Sequence, residues 1–344
     1  MSTYTFHCGI DISKDKFDVC LLTASDTHQA AFANTPAGFK QLLDWLGQDR
    51  APEVHCCLEA TGKYGNALAA FLHDNRLPVS LVNPLAVHHF AKSELNRNKT
   101  DCHDAWIIAR YALKQEPRLW RPRSARLQQL HDWVRAREQL VETKVTARLR
   151  LSDSSKETAP LFKAQLRLLE KQIQAVEDQI HSFKETEDEL GCALGLLTSI
   201  PGIGEVTAAT VLSTMPEVGE IGGARQLAAF AGLTPRQHQS GRWAGKTRLS
   251  KLGHGRLRKA LYLPAVSALR CNPRISEMAA RMLHKGKKKM VIIGAAMRML
   301  LHICYGVLKN KTPFDPNHLQ AAKPVKMSNR AGCEPNSSRP VAVK

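Results

Sequence analysis

No two cysteines in this chain are spaced as C-x-x-C, and none of its fourteen histidines falls in an H-x-x-x-H or H-E-x-x-H grouping. A cysteine or histidine zinc site therefore has no support in the sequence. The nine cysteines are odd in number and scattered, which argues against a disulfide framework. The first residues, Met1 to Phe6, lack the basic and apolar regions of a secretory leader, and no apolar stretch is read as long as the roughly 20 residues of a bilayer-spanning helix. The expectation is a soluble cytoplasmic protein with no membrane partner. Acidic residues are also scarce in the last third: from Arg236 onward there are only Glu277, Asp315 and Glu334 against 23 Lys and Arg. Before Arg236 the chain holds 26 basic and 28 acidic residues, so the whole excess of +18 lies at one end. A one-sided basic field suits a polyanion, and nucleic acid is the commonest such partner.

What is present is ordinary globular composition, 43% hydrophobic and 23% charged over 344 residues, enough for two domains and a connecting element. The first ~110 residues alternate between strand and helix patterns. Apolar runs at 8–12 and 17–22 flank the polar Ser13-Lys14-Asp15-Lys16, a hairpin signature, and a third strand is expected at 29–32. Thr35-Pro36 opens a helix with Phe39, Leu42, Leu43 and Leu46 at helical spacing. Strands at 54–58 and 79–82 follow, with helices at 64–73 and from 85. The order of three strands, helix, strand, helix, strand, helix matches a ribonuclease-H-like α/β fold. This first domain is placed at 1–125.

From 126 to 190 the chain turns charged and helical. Leu166, Leu169, Ile173, Val176, Ile180 and Phe183 keep spacings of three and four, the seam of a coiled-coil arm, although a helix packed within its own subunit gives the same pattern. A mainly helical C-terminal domain is expected at 191–318, and a disordered Pro-, Ser- and Lys-rich tail at 319–344.

Three groups of residues carry chemistry. Asp11 interrupts the apolar run Gly9-Ile10-Asp11-Ile12, where a carboxylate is costly unless it serves a metal or a buried partner. Glu59 ends a later strand, and Asp101 and Asp104 stand three apart on one face of the helix that follows them. Converging carboxylates repel unless cations lie between them, and two Mg²⁺ ions about 3.5–4 Å apart suit phosphodiester transfer. Taken singly, Asp101 and Asp104 also read as ordinary first-turn or surface acids. The second group, Ser199-Ile200-Pro201-Gly202-Ile203-Gly204-Glu205, has the form of a helix-hairpin-helix turn, in which Gly202 and Gly204 can present N–H groups to a phosphate. A helix connection that merely needs glycine gives the same residues. The third is Ser240 beside Gly241, flanked by Arg236, Lys246, Arg248, Lys251, Arg258 and Lys259 as candidate phosphate-binding cations. From spacing alone the signal is weak, a serine in a glycine turn being far more often only a turn residue. Lys285-Gly286-Lys287-Lys288-Lys289 reads as a solvated basic loop able to touch a phosphate backbone.

These residues resemble the insertion-sequence 110 family of DEDD transposases, also called bridge-RNA-guided recombinases. The resemblance is carried by Gly9-Ile10-Asp11 with Lys14-Asp15-Lys16-Phe17-Asp18-Val19, Glu59-Ala60-Thr61-Gly62, Val82-Asn83-Pro84, Lys99-Thr100-Asp101 with Asp104-Ala105, Ile200-Pro201-Gly202-Ile203-Gly204, Phe230-Ala231-Gly232-Leu233-Thr234-Pro235 and Gln239-Ser240-Gly241, together spanning most of the chain. It implies a RuvC-like N-terminal domain, a coiled-coil arm used in assembly, and a C-terminal transposase domain. It further implies that Asp11, Glu59, Asp101 and Asp104 hold two Mg²⁺ ions, for which Mn²⁺ can substitute, and that Ser240 is the nucleophile of a 5′-phosphoserine intermediate. The expected partners are donor and target DNA, a structured guide RNA that supplies sequence choice by base pairing, and further copies of the chain in a dimer or tetramer. Three other readings share parts of this pattern. They are a Mg²⁺-dependent RuvC-like nuclease that uses water, a sugar-kinase or actin-like ATPase, and a non-catalytic nucleic-acid-binding protein. The ATPase lacks a second Asp-x-Gly phosphate loop here.

Overall fold

The computed structural model describes residues 4–47, 53–60, 64–94, 101–240, 243–245 and 247–317. The chain separates into two compact units, residues 1–124 and 125–344. The expected tail at 319–344 lies outside the described residues.

The first unit is a five-stranded mixed sheet with helices on both faces. Its strands are β1 (Phe6–Ile12), β2 (Lys16–Leu22), β3 (Thr27–Ala33), β4 (Val54–Glu59) and β5 (Val79–Val82), in the order β3-β2-β1-β4-β5. β1 pairs antiparallel with β2 and parallel with β4, so it lies at the centre. Because side chains alternate along a strand, each strand sends one set to each face. One set, including Cys8, Ile10, Phe17, Val19, Cys56 and Leu58, packs with Phe39, Leu42 and Leu46 of helix α1 (Pro36–Leu46) and Leu68 and Leu72 of α2 (Asn66–Asp74). Thr35 caps α1, its hydroxyl accepting from the Gly38 N–H at 3.3 Å, and Pro36 fits the first turn, where no N–H is needed. Asn83 and Pro84 start α3 (Pro84–Ser93) in the same way, with the Leu85 N–H donating to Asn83 Oδ1 at 2.9 Å.

The opposite face carries Gly9, Asp11, Asp18, Cys20, Cys57 and Glu59, and α4 (Asp101–Gln115) lies on it. Ala105 and Ala109 meet Cys20, while Ile107, Ile108 and Ala112 meet Cys57, Val82 and Val87. The fit depends on Gly9: a Cβ there would lie 2.1 Å from the Ala105 carbonyl oxygen and 2.2 Å from the Ala109 nitrogen. All eight described cysteines are free thiols, and Cys8, Cys20, Cys56 and Cys57 are buried in the sheet as small apolar residues.

The second unit is mainly helical. Two long helices, α5 (Ala125–Ser152) and α6 (Ala159–Lys184), pack on each other and are tied by Arg137–Glu177 at 2.6 Å and Lys144–Glu170 at 2.9 Å. Val176, Ile180 and Phe183 of the predicted seam, with Leu130 and Val134 of α5, are buried in this unit's core. That core is completed by α7 (Glu189–Thr198), α8 (Glu205–Thr214), α9 (Ala224–Phe230), α10 (Gly255–Ala260), α11 (Tyr262–Cys271), α12 (Pro273–His284) and α13 (Lys289–Asn310). α13 corrects the expectation that no apolar stretch reaches bilayer-spanning length: it has 22 residues and a window of mean hydropathy 1.9. It runs through the core, burying Ile292, Ala296, Leu300, Leu301 and Cys304, as the central helix of a globular unit does. Between α9 and α10 lies a small ribbon of two-residue strands: β6 (Pro235–Arg236) pairs with β9 (Arg248–Leu249), and β7 (Gln239–Ser240) with β8 (Trp243–Ala244).

Candidate active site

The acid face of the first unit is assembled by register. Ile10 pairs with Leu58, so the next residues, Asp11 and Glu59, lie side by side at the ends of β1 and β4. Asp104 immediately precedes Ala105, whose carbonyl is seated over Gly9 two residues before Asp11. The contact between Gly9 and α4 therefore brings the first turn of α4 to the strand carboxylates. Glu59 registers the result: burial first, then the charges of Asp11 and Asp104, raise its carboxyl from the ordinary 4.5 to about 7. Asp101 begins α4, but its side chain lies outside the described ones.

The sequence reading left out Asp18 as a site residue. It is the Cα partner of Asp11 across the β1–β2 pair and therefore faces the same side. It is buried to 6% exposure, with Lys16 Nζ at 3.0 Å and the Cys102 thiol at 3.9 Å from its carboxylate. The signal was present in the alternation: Asp18 holds an inward position in Phe17-Asp18-Val19-Cys20, between two helix-covered faces.

Among the described residues no group of three or more His, Cys, Asp or Glu side chains is close enough to form a complete ligand cluster. Asp11 and Asp104 are each within electrostatic reach of Glu59 without the three closing on a common point. As hard oxygen donors they suit a hard divalent cation, which would relieve both the burial and the neighbouring acid charges that raise Glu59.

In the second unit Ser240 lies on the exposed ribbon, not in an irregular loop, with Trp243 as its Cα partner. Arg236 and Arg248 are likewise partners on the neighbouring ladder. Lys246 and Gly241 lie outside the described residues. Lys251 follows the ribbon with φ +57, its N–H donating to the Gly232 carbonyl at 3.1 Å. Arg258 turns inward, donating to the Ala231 carbonyl at 3.0 Å, and Lys259 pairs with Glu142 at 3.1 Å. Arg258 is thus tied to the fold itself, whereas the Lys259 pair is exposed on the surface.

The turn between α7 and α8 has Gly202 at φ +100, where a Cβ would come within 2.8 Å of the Ala268 side chain. Gly202 is therefore required for packing, while Gly204 has open space around it. The N-terminus of α8 already receives Glu205, held by Lys184 at 2.8 Å and His181 at 2.9 Å.

A DEDD-type transposase model of insertion sequence 110 (IS110), described as Transposase, matches residues 8–160. A second, described as Transposase IS116/IS110/IS902 family, matches residues 194–280. The pilin gene-inverting protein of Moraxella lacunata is 35% identical over 313 residues, covering 90% of this chain and 97% of that protein. The transposase for insertion sequence element IS1111A of Coxiella burnetii is 26% identical over 76% of this chain and 77% of its own length. The probable family 20 transposase of Pseudomonas aeruginosa is 24% identical over 90% of this chain and 98% of its own length. Matches of this extent across both units show that the chain belongs to the IS110 family of DNA transposases and recombinases, whose DEDD type points to dependence on a divalent metal.

Proposed function

We propose that the chain cuts and rejoins DNA through a serine ester, with Asp11, Glu59, Asp101 and Asp104 holding two Mg²⁺ ions and Ser240 as the nucleophile. The observation that carries the metal half is the strand register that sets Asp11 beside Glu59 on β1 and β4, with the Asp104 charge also felt at Glu59. The strand order β3-β2-β1-β4-β5 with helices on both faces supports a ribonuclease-H-like, RuvC-like identity for the first unit. Bound metal would position the scissile phosphate and withdraw charge from it. Ser240 Oγ attacks phosphorus, the bond from phosphorus to the 3′ oxygen breaks, and the serine proton is balanced by the one gained at the 3′ hydroxyl. The 5′-phosphoserine ester keeps the phosphodiester energy, so a 3′ hydroxyl from another strand can reverse the step without ATP. Arg236, Arg248 and Lys251 have the exposure to neutralise backbone phosphates, with Lys246 as a further candidate. We assign the α5–α6 pair to assembly of a dimer or tetramer, and sequence choice to base pairing with a structured guide RNA, on the family resemblance. We place the protein in the cytoplasm, in keeping with a DNA substrate.

The competing reading, a structure-specific nuclease using water, shares the acids and lacks the need for Ser240. Ser240→Ala separates them. The recombinase variant loses recombinant product while still binding DNA, whereas a hydrolytic nuclease keeps cutting. Asp11→Asn should abolish cleavage in either case, and unchanged cleavage in that variant overturns the metal assignment.

A further inference from the structure

The ribbon that carries Ser240 also carries Trp243, the one tryptophan of the five that is exposed, with 57% of its surface in solvent. An indole is expensive to leave in water, yet this one is held in place. His238 meets it edge-on at 5.1 Å between ring centroids. Gly245 lies beneath it, where a Cβ would approach within 2.5 Å of the indole ring, so a side chain at 245 would dislodge it. The Gly245 N–H donates to the His238 carbonyl at 2.9 Å and closes this part of the ribbon. Directly opposed and alternate residues of an antiparallel pair share a face, which places His238, Ser240, Trp243 and Gly245 together on one side.

Arg236, His238, Trp243, Gly245 and Arg248 line a cleft of about 420 Å³, within the ~300–1,000 Å³ of small-molecule sites. A space of that size matches a single nucleotide. The cations beside it are available: no acid occurs in the sequence between Glu220 and Glu277. Arg256 and Lys259 are drawn to Glu138 and Glu142, whereas among the described residues no acid pairs with Arg236 or Arg248. A rigid exposed aromatic flanked by unpaired guanidinium groups is the chemistry that binds unpaired nucleotides, the base stacking and the cations taking the phosphates.

We propose that Trp243 is a stacking platform for an unpaired nucleobase next to the phosphate that Ser240 attacks, with Arg236 and Arg248 holding the adjoining backbone. The inference rests on Ser240 being the nucleophile for its place in the reaction, but the binding site itself does not. It makes Trp243 a positioning residue that favours DNA locally opened at the cleavage point, since extruding a base is least costly where pairing is already lost.

The test uses the full chain, a short single-stranded oligothymidylate and a fully paired duplex of equal length, with affinities read by fluorescence anisotropy. Trp243→Ala should weaken single-strand binding about tenfold and change duplex binding by less than about twofold. Trp243→Phe should keep single-strand affinity within about threefold while losing the tryptophan quenching that oligothymidylate produces in the unmodified chain. Unchanged single-strand affinity in Trp243→Ala, or equal losses on both DNAs, overturns the proposal. The same discrimination measured in a Ser240→Ala background keeps the two claims apart. Stacking retained there without any phosphoserine adduct in the unmodified chain removes the nucleophile assignment alone.

Discussion

Removing the charge of Glu59 should make the metal-free protein more stable and inactive at once. Glu59 is raised from 4.5 to about 7 by burial and by Asp11 and Asp104. Such a shift corresponds to about 3 kcal/mol for a fully withdrawn carboxyl. Glu59 is only half-buried, so solvent screening reduces this to about 1–2 kcal/mol. The sign follows from which state holds the proton. Below pH ~4.5 Glu59 is neutral in both folded and unfolded chains and contributes no penalty. Between pH ~4.5 and ~7 the unfolded chain ionises first and stability falls, and above ~7 the penalty is complete. Glu59→Gln should therefore raise the melting temperature of the first unit by roughly 4–10 °C at pH 8 in chelator, and by nearly nothing at pH 4. Differential scanning calorimetry measures both. Added Mg²⁺ should stabilise the unmodified chain and not the variant, since occupancy of a site in the folded state alone raises stability. A Glu59→Gln variant less stable than the unmodified protein in chelator at pH 8 would refute the argument that burial and the neighbouring acids penalise its charge.

Three further outcomes follow from particular contacts. Gly9→Ala should destabilise the first unit by about 3 kcal/mol or more, because the new Cβ meets helix backbone that cannot yield without moving α4; a thermal melt within 2 °C of the unmodified protein would contradict this seat. Gly202→Ala should cost the second unit about 2 kcal/mol through its positive φ and the Ala268 contact, whereas Gly204→Ala, with open space and φ −88, should leave stability unchanged. If Gly204→Ala nonetheless weakens DNA binding, the turn touches phosphate; an unaltered affinity assigns it to packing. Mixing Asp11→Asn with Ser240→Ala should restore part of the recombination that each variant lacks, as product on a gel, if acids and serine come from different copies, and no product from the mixture would place both in one copy.

Much of the first unit was legible because its strands are apolar runs separated by clear turns, and Thr35-Pro36 and Asn83-Pro84 announce the helices that follow β3 and β5. The proximity of Asp11 and Glu59 was foreseeable in outline, since Asp11 lies within the first apolar run and Glu59 ends a later strand of the same sheet. The role of Gly9 was not: that a glycine admits helix backbone depends on what packs above it, which no local pattern records. Asp18 was passed over because a charged residue in an alternating run reads as the solvent face, and here both faces are covered. The ribbon around Ser240 was missed because two-residue strands are too short to show a period. Trp243 was likewise invisible as an exposed side chain, an aromatic in sequence being more simply read as core. α13 escaped notice as a long apolar helix because Arg298 and His302 interrupt its composition, although its buried face is continuous through Ile292, Ala296, Leu300 and Cys304. In α6 the regular spacing correctly marked one apolar stripe, but spacing alone does not say whether that stripe meets the unit's own core, as Val176, Ile180 and Phe183 do.

The central claim, that a serine and a metal-bearing acid face act together on DNA, is tested most directly by trapping the protein on cleaved DNA with Mg²⁺ and mapping the covalent link by peptide mass spectrometry. The account predicts a DNA adduct on Ser240 through a 5′ phosphate, absent from Ser240→Ala and Asp11→Asn. Strand cleavage without any adduct, or an adduct on another residue, would contradict it.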